Sequence, residues 1–223
     1  MSVWPAIWLT LQLAVVTTLI LMLIALPLGW WLARTKSPAR PVVEAITALP
    51  LVLPPTVLGF YLLVLMSPTW PLGAFWVRVT GDTLAFSFTG LVIASLVYSL
   101  PFAVQPVQSA FMAIPVQALE TARTLGAPPR DAFTSVALPL AKRGILTGAV
   151  LTFAHTIGEF GVVLMVGGNI PGETRVISIE IFTAVERLDY ATAHALSLGL
   201  LCFSFVTLFL IYALGRRGAA RLG

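Results

Sequence analysis

Charge is what this chain has least of. Only 10% of its 223 residues are Asp, Glu, Lys or Arg, against 58% hydrophobic. A soluble domain usually carries about a quarter charged residues. A water-soluble core cannot enclose this much apolar surface, so lipid is the solvent for much of the chain. Cysteine is nearly missing. Cys202 stands alone inside an apolar run, which excludes an internal disulfide and a multi-cysteine metal site. It is expected as a small buried apolar residue. The two histidines, His155 and His194, fall in different apolar segments, so no zinc cluster and no other metal site is expected. A Gly-x-x-x-x-Gly-Lys-Ser/Thr phosphate loop is also missing, so no nucleotide is expected to bind this chain. An intramembrane enzyme needs converging acids, histidines or a nucleophile pair. His155 and Glu159 are the one such pair, which argues against catalysis. The net charge of +4 does not indicate nucleic acid, because the basic residues form no stripe but separate the apolar runs.

Those runs are the dominant signal. Residues 1–33, 45–77, 83–119 and 190–215 carry no charge, and 144–172 carry only Glu159. About 20 mostly apolar residues suffice to cross the hydrocarbon core as a helix, and in lipid no other open structure satisfies the backbone. The pattern predicts an all-α, polytopic membrane protein, one transmembrane domain over 1–223. Its crossings lie near 7–33, 42–66, 84–111, 144–167 and 191–214. The first run is too long for a signal-peptide core, and its basic flank follows rather than precedes it. With five crossings, ten of the thirteen basic residues fall on one side: Arg34, Lys36, Arg40, Arg123, Arg130, Lys142, Arg143, Arg216, Arg217 and Arg221. The positive-inside rule makes that side cytoplasmic, with the N-terminus outside and the C-terminus inside. Residues 168–190 are too charged to span, but Val176–Val185 is mostly apolar and predicts a short interfacial or re-entrant helix on the outer side.

Between the third and fourth crossings lies a polar hairpin, about 115–140. Pro115 suits the first turn of a helix. Ala118, Leu119, Ala122 and Leu125 recur at helical spacing as one apolar face, and Glu120 and Arg123 are spaced to pair weakly. Gly126 is placed to end the helix in a left-handed conformation. Pro128-Pro129 then starts a second short helix, which Leu138-Pro139 is expected to close. On periodicity alone an amphipathic connector and a docking element for a cytosolic partner fit equally well.

Spacing across the hairpin goes further. Glu120-Thr121-Ala122, three residues, Gly126, nine residues, and Val136-Ala137-Leu138-Pro139 resemble the cytoplasmic loop of the permease subunits of ATP-driven (ABC) importers. That loop reads Glu-Ala-Ala, three residues, Gly, nine residues, Ile-x-Leu-Pro; Thr121 and Val136 are the departures. Two further segments, Leu49–Gly59 and Gly158-Glu159-Phe160-Gly161 with Asn169–Arg175, are similar to those of the molybdate group, to which sulfate and tungstate permeases are close. The resemblance implies a type I importer permease fold with a coupling helix-turn-helix. It implies Glu120, Ala122, Arg123, Gly126 and Pro139 as contacts to a cytosolic ATPase, and no cofactor in this chain, ATP being bound by that partner. The implied partners are a second copy of the chain, two ATPase subunits, a periplasmic molybdate-binding protein docking outside, with 168–190 as its candidate seat, and membrane lipid. The implied location is the bacterial inner membrane. A short tail after the last crossing implies no cytoplasmic regulatory domain.

Pathway candidates come from the residues themselves. Pro50, Pro54 and Pro55 within the second crossing remove backbone donors and force kinks. The freed carbonyls must face protein or water, so this segment is either a gate or a packed kink. No Lys or Arg lies within a crossing, so only weak, transient anion binding is expected. Glu159 is the one acid within a crossing. It is expected to cap an outer-facing segment or to bond His155 at i,i+4, with a gate role as the alternative.

Overall fold

The computed structural model describes the backbone of residues 3–219 and the side chains of residues 3–209. Arg216, Arg217 and Arg221 lie outside the described side chains. Among the described residues all regular structure is helical: α1 Trp4–Arg34, α2 Arg40–Val52, α3 Pro55–Met66, α4 Pro71–Thr80, α5 Phe88–Met112, α6 Val116–Thr124, α7 Pro129–Asp131, a π-helical segment Ala132–Ala137, α8 Leu138–Gly158, α9 Gly161–Gly167, α10 Ile177–Glu186 and α11 Tyr190–Ala219.

The centre of the fold is α1 against α5 and α8, with α3 paired on α9, α2 on α5, and α10 on α11. Small residues bring the central helices together. A Cβ on Gly29 would stand 2.8 Å from Val107, and one on Gly144 would stand 2.3 Å from the Ala110 Cβ. Leu21, Ala25, Leu32, Val104, Val107 and Phe111 fill the resulting core. The outward faces remain apolar: Leu19, Leu23, Leu201 and Phe205 are exposed, as lipid contact requires. Tryptophans mark both ends of α1, Trp4 and Trp8 at one and Trp30 and Trp31 at the other. The 22-residue step from Trp8 to Trp30 spans about 33 Å at 1.5 Å per residue, against a hydrocarbon core of about 30 Å. Aromatic residues favour those two interfaces.

Five apolar stretches are present, as expected, but only α1, α5 and α11 match their predicted crossings as single helices. Residues 42–66 are broken into α2 and α3, which meet at 112°. The two-proline step is the cause. Leu53 and Pro54 each precede a proline and are pushed to extended ψ, 136° at both. The fourth stretch is broken at Glu159 and Phe160, between α8 and α9. It also begins earlier than expected. Leu138-Pro139 does not close the hairpin's second arm, because the helix runs on from Pro129 to Gly158. Pro139 sits in the first turn of α8, directly after the π segment. A widened turn is where a ring with no N–H can be inserted without ending the helix.

One helix went unforeseen. Residues 71–80 form α4, started by Pro71 and stopped by Gly81 at φ 82°. It leaves Leu72, Phe75 and Val79 exposed. The short helix expected within 176–185 is α10, and it is tied to α1: the Ile177 N–H donates to Thr10 Oγ1 at 2.8 Å. Asp189 caps α11, accepting from the Thr192 N–H at 3.2 Å. The hydrogen bonds from Thr192 hold the Asp189 carboxyl below its usual range. Cys202 corrects the expectation of burial. It is exposed, because in lipid an apolar neighbourhood in sequence does not imply an interior position.

The close helix contacts yield a prediction. Gly144→Val should destabilise the detergent-solubilised protein by about 1–3 kcal/mol through overpacking. Gly199→Ala, where a Cβ meets nothing within 4 Å, should be neutral or stabilising by up to about 1 kcal/mol. Thermal melts of both variants check this; equal shifts would contradict the packing described.

Candidate functional site

Two regions carry the polar chemistry, one at each end of the helix bundle. The first is the hairpin. Its first arm, α6, follows the short link 113–115 from α5. Pro115 is the N-cap rather than an interior residue, with ψ 134°. The arm ends at Gly126, φ 84°. The Ala127 N–H donates to the Ala122 carbonyl (3.0 Å) and the Gly126 N–H to the Arg123 carbonyl (2.9 Å). That pair of bonds is the Schellman closure, and it requires a residue that tolerates left-handed φ at 126. Leu119 is buried and Ala118 and Ala122 are half-buried, as expected, but Leu125 is 82% exposed. The apolar face is therefore one residue shorter than the spacing suggested, because the helix has already ended before Leu125.

Glu120, Arg123, Gly126 and Pro139 are all exposed. Glu120 and Arg123 do not pair; the ion pairs among the described residues are Arg40–Glu44 at 2.9 Å and Arg175–Glu180 at 3.4 Å. The hairpin thus presents an acid, a base and a bare leucine to whatever lies beyond it. Its inner face is held by the core: Leu119, Ile114, Phe111, Ala137 and Ala141 form one cluster with Phe133 and Val136 against it. Beside it, Glu44 accepts from Arg40 and from Gln108 Nε2 (2.7 Å), which fixes the start of α2 to α5.

The second region surrounds Glu159, which is 3% exposed. Helix α8 ends at Gly158, so the i,i+4 bond to His155 does not form. Instead the carboxylate turns to α5, where Ser95 Oγ donates to Oε2 at 2.8 Å. Ser178 Oγ on α10 donates to the Glu159 carbonyl. Oε1 is buried without a partner. His155 Nδ1 lies 3.0 Å from Ser99 Oγ, and its ring stacks on Phe102 with centroids 3.9 Å apart. Ser99 also meets Thr156 Oγ1 at 3.1 Å. Glu159 thus joins α5, the end of α8 and the start of α10. The carboxylate caps neither α9 nor α10 and does not bond His155; its hydrogen-bond partner is the Ser95 hydroxyl.

The pathway candidates divide. Pro50 is buried within α2 and Pro54 is exposed at the bend. Pro55 starts α3 and meets the second break: a Cβ on Gly161 would lie 2.8 Å from Pro55 Cβ, and one on Gly59 would lie 2.7 Å from Met165 Cβ. Helices α3 and α9 therefore start together and run side by side in the same direction. Sequence reading had no means of pairing Pro55 with Gly161, which stand over a hundred positions apart. The glycines flanking Glu159 were the available signal for the second break.

Residues 25–219 match the family described as the binding-protein-dependent transport system inner membrane component. A molybdenum transport system permease protein, ModB, of Azotobacter vinelandii is 55% identical over 208 residues, covering 93% of this chain and 92% of that one. Its namesake in Escherichia coli K12 is 37% identical over 183 residues, covering 82% and 80%. Among solved structures, a bacterial alginate ABC transporter in complex with an alginate pentasaccharide-bound periplasmic protein aligns with TM-score 0.75 at 20% identity, over 96% of this chain and 78% of that one. At that identity the likeness concerns the fold alone.

The Glu159 cluster generates the next expectation. In Glu159→Gln the amide oxygen still accepts from Ser95, so the variant should assemble and keep most of its activity. Glu159→Leu leaves the Ser95 hydroxyl unpaired and should cost about 1–3 kcal/mol. Melting temperature and uptake assays measure both. Loss of activity in an assembled Glu159→Gln protein would show that the charge itself is required.

Proposed function

Since the chain belongs to the binding-protein-dependent transport system inner membrane component family, we propose that it is the permease subunit through which an ATP-driven importer moves molybdate across the bacterial inner membrane. The observation that carries the substrate is the high identity, over nearly the whole chain, to a molybdenum permease. The chain is a transport subunit and not an enzyme; ATP hydrolysis belongs to a separate ATPase subunit. It is a multi-pass inner-membrane protein that works with an ATPase and a binding protein.

Two copies form the pathway between them, with the hairpin ends in the cytosol and the N-termini outside. The positive-inside count supports this orientation. Each hairpin seats on one ATPase. Glu120 and Arg123 supply charged contacts, Leu125 an apolar one, and the Gly126 closure and Pro139 hold the arms in shape. A rigid two-helix wedge suits this task, since a groove that closes on it moves it as a body. The binding protein delivers substrate to the opposite face, where α4, α10 and the 168–175 segment lie together. ATPase closure then displaces the hairpins and opens the path outward.

Molybdate passes rather than lodges. The basic residues of the described spanning helices stand near their ends, Arg34 closing α1 and Lys142 and Arg143 in the first two turns of α8, and Glu159 offers an anion no attraction. The broken helices give the pathway wall segments that can shift without unravelling a whole span, since α2 and α3 are joined by only two residues.

Proteoliposomes holding the permease with its ATPase and binding protein should take up molybdate only with ATP inside the nucleotide-accessible compartment. Excess tungstate should compete more strongly than sulfate; preferential inhibition by sulfate would reassign the substrate. Calorimetry on the isolated permease should show no molybdate binding at micromolar concentrations. A micromolar or tighter Kd would contradict a transient path.

A further inference from the structure

At the hairpin end of the bundle, Arg34 does more than contribute a positive charge. It is the last residue of α1, and its Nη2 donates to the carbonyls of Phe111 (2.9 Å) and Ile114 (3.3 Å). The first belongs to the last turn of α5, past which no regular i+4 donor follows, and it also accepts from the Ile114 N–H at 3.4 Å. The second lies in the link 113–115, just before the Pro115 cap of α6. One guanidinium thus staples both sides of the joint between a spanning helix and the hairpin. A cation is also favoured against a helix C-terminus, and hydrogen bonds from a charged donor are stronger than neutral ones.

The same guanidinium lies 5.4 Å from the centroid of the Trp30 ring, within range of a cation–π contact. Trp30 in turn meets Phe111 and Phe133 edge-on, each at 5.1 Å, and those two rings are 5.9 Å apart. Phe111 belongs to α5 and is fully buried; Phe133 belongs to the hairpin's second arm, inside the π segment. The first arm enters the same cluster through Leu119. A single knot of side chains therefore ties the inner end of α1 to α5 and to both arms of the hairpin. Neither Trp30 nor Arg34 belongs to the hairpin or to its spacing pattern; Arg34 reaches its carbonyl partners across 77 and 80 positions of sequence.

We propose that Trp30 and Arg34 are positioning residues that lock the hairpin to α1, so that displacement of the hairpin is delivered to the spanning helices instead of being absorbed at the joint. This rests on the reading of the hairpin as the coupling element. Three residues, Ala113, Ile114 and Pro115, are all that connect α5 to α6. Bending there moves the Phe111 and Ile114 carbonyls apart, and Arg34 Nη2 holds both. The π segment makes the second arm the softer of the two, because its widened turn is a poorer helix, and Phe133 pins that arm to the same ring. Lysine keeps the charge at position 34 but has no planar guanidinium to hold both the carbonyls and the Trp30 ring at once.

The test is the ratio of molybdate imported to ATP hydrolysed by the reconstituted full complex. Arg34→Gln should lower that ratio by about fivefold or more, the low end of an ordinary coupling energy. Arg34→Lys should fall between it and the wild type. Phe133→Leu, which keeps an apolar side chain but removes the ring contacts, should lower the ratio as well and serves if Arg34→Gln fails to assemble. A merely structural role would lower import and hydrolysis together, and an unchanged ratio in these variants would overturn the proposal. A wild-type complex that imports nothing on ATP would instead overturn the coupling reading on which the proposal stands.

Discussion

Every feature of this molecule answers to one constraint: inside the hydrocarbon layer a backbone polar group has no water to turn to. A helix that is interrupted there must find protein partners for what it exposes. Two spans of this chain are interrupted, at 53–54 and at 159–160, and the fold packs the breaks against each other. Gly161 lets α9 start flush against Pro55, and Gly59 lets α3 lie on Met165. Hydroxyls meet several of the remaining groups, though Glu159 Oε1 stays unpartnered. Ser178 serves the Glu159 carbonyl, Ser95 its carboxylate, and Thr10 the first amide of α10. Where a soluble protein would leave such a break to solvent, here the breaks define the interior.

The same constraint separates the chain into a stiff part and a part able to move. Helices α1, α5 and α8 are long, closely approached and glycine-matched. The pairs α2–α3 and α8–α9 are jointed. The hairpin connects with the stiff part: α6 hangs from α5 by three residues, the second arm continues into α8, and Arg34 and Trp30 bind both to α1. If the hairpin couples to the ATPase as proposed, motion imposed there would enter through α1, α5 and α8, with the jointed segments beside them free to respond. A transporter needs both properties in one chain, and their distribution follows from where prolines and glycines stand.

Much of this was legible in the sequence, and the exceptions share a cause. Charge-free runs located the apolar stretches because lipid tolerates little else. The hairpin was readable because Gly126 and the proline pairs act locally. The break at Glu159 was not read, since hydropathy averages over a window and does not register a two-residue interruption; Gly158 and Gly161 were the clue. Helix α4 was missed because its charge at Arg78 and its flanking turns suggested a loop. The expected His155–Glu159 bond assumed a helix that has in fact ended. Cys202 and Leu125 were assigned to buried faces by neighbours that proved to be lipid-facing or beyond the helix end. Arg34 entered the reading as one of ten charges, because its partners, Phe111 and Ile114, are remote in sequence and known only from the fold.

The proposed coupling requires the hairpin to face the cytosol and to be covered there by the ATPase. In a Cys202→Ala background, Arg123→Cys should react with a membrane-impermeant thiol reagent in inside-out vesicles and not in intact cells opened only at the outer membrane. The bound ATPase subunit should protect it. Labelling from the periplasmic side, or labelling indifferent to the ATPase, would contradict the central claim.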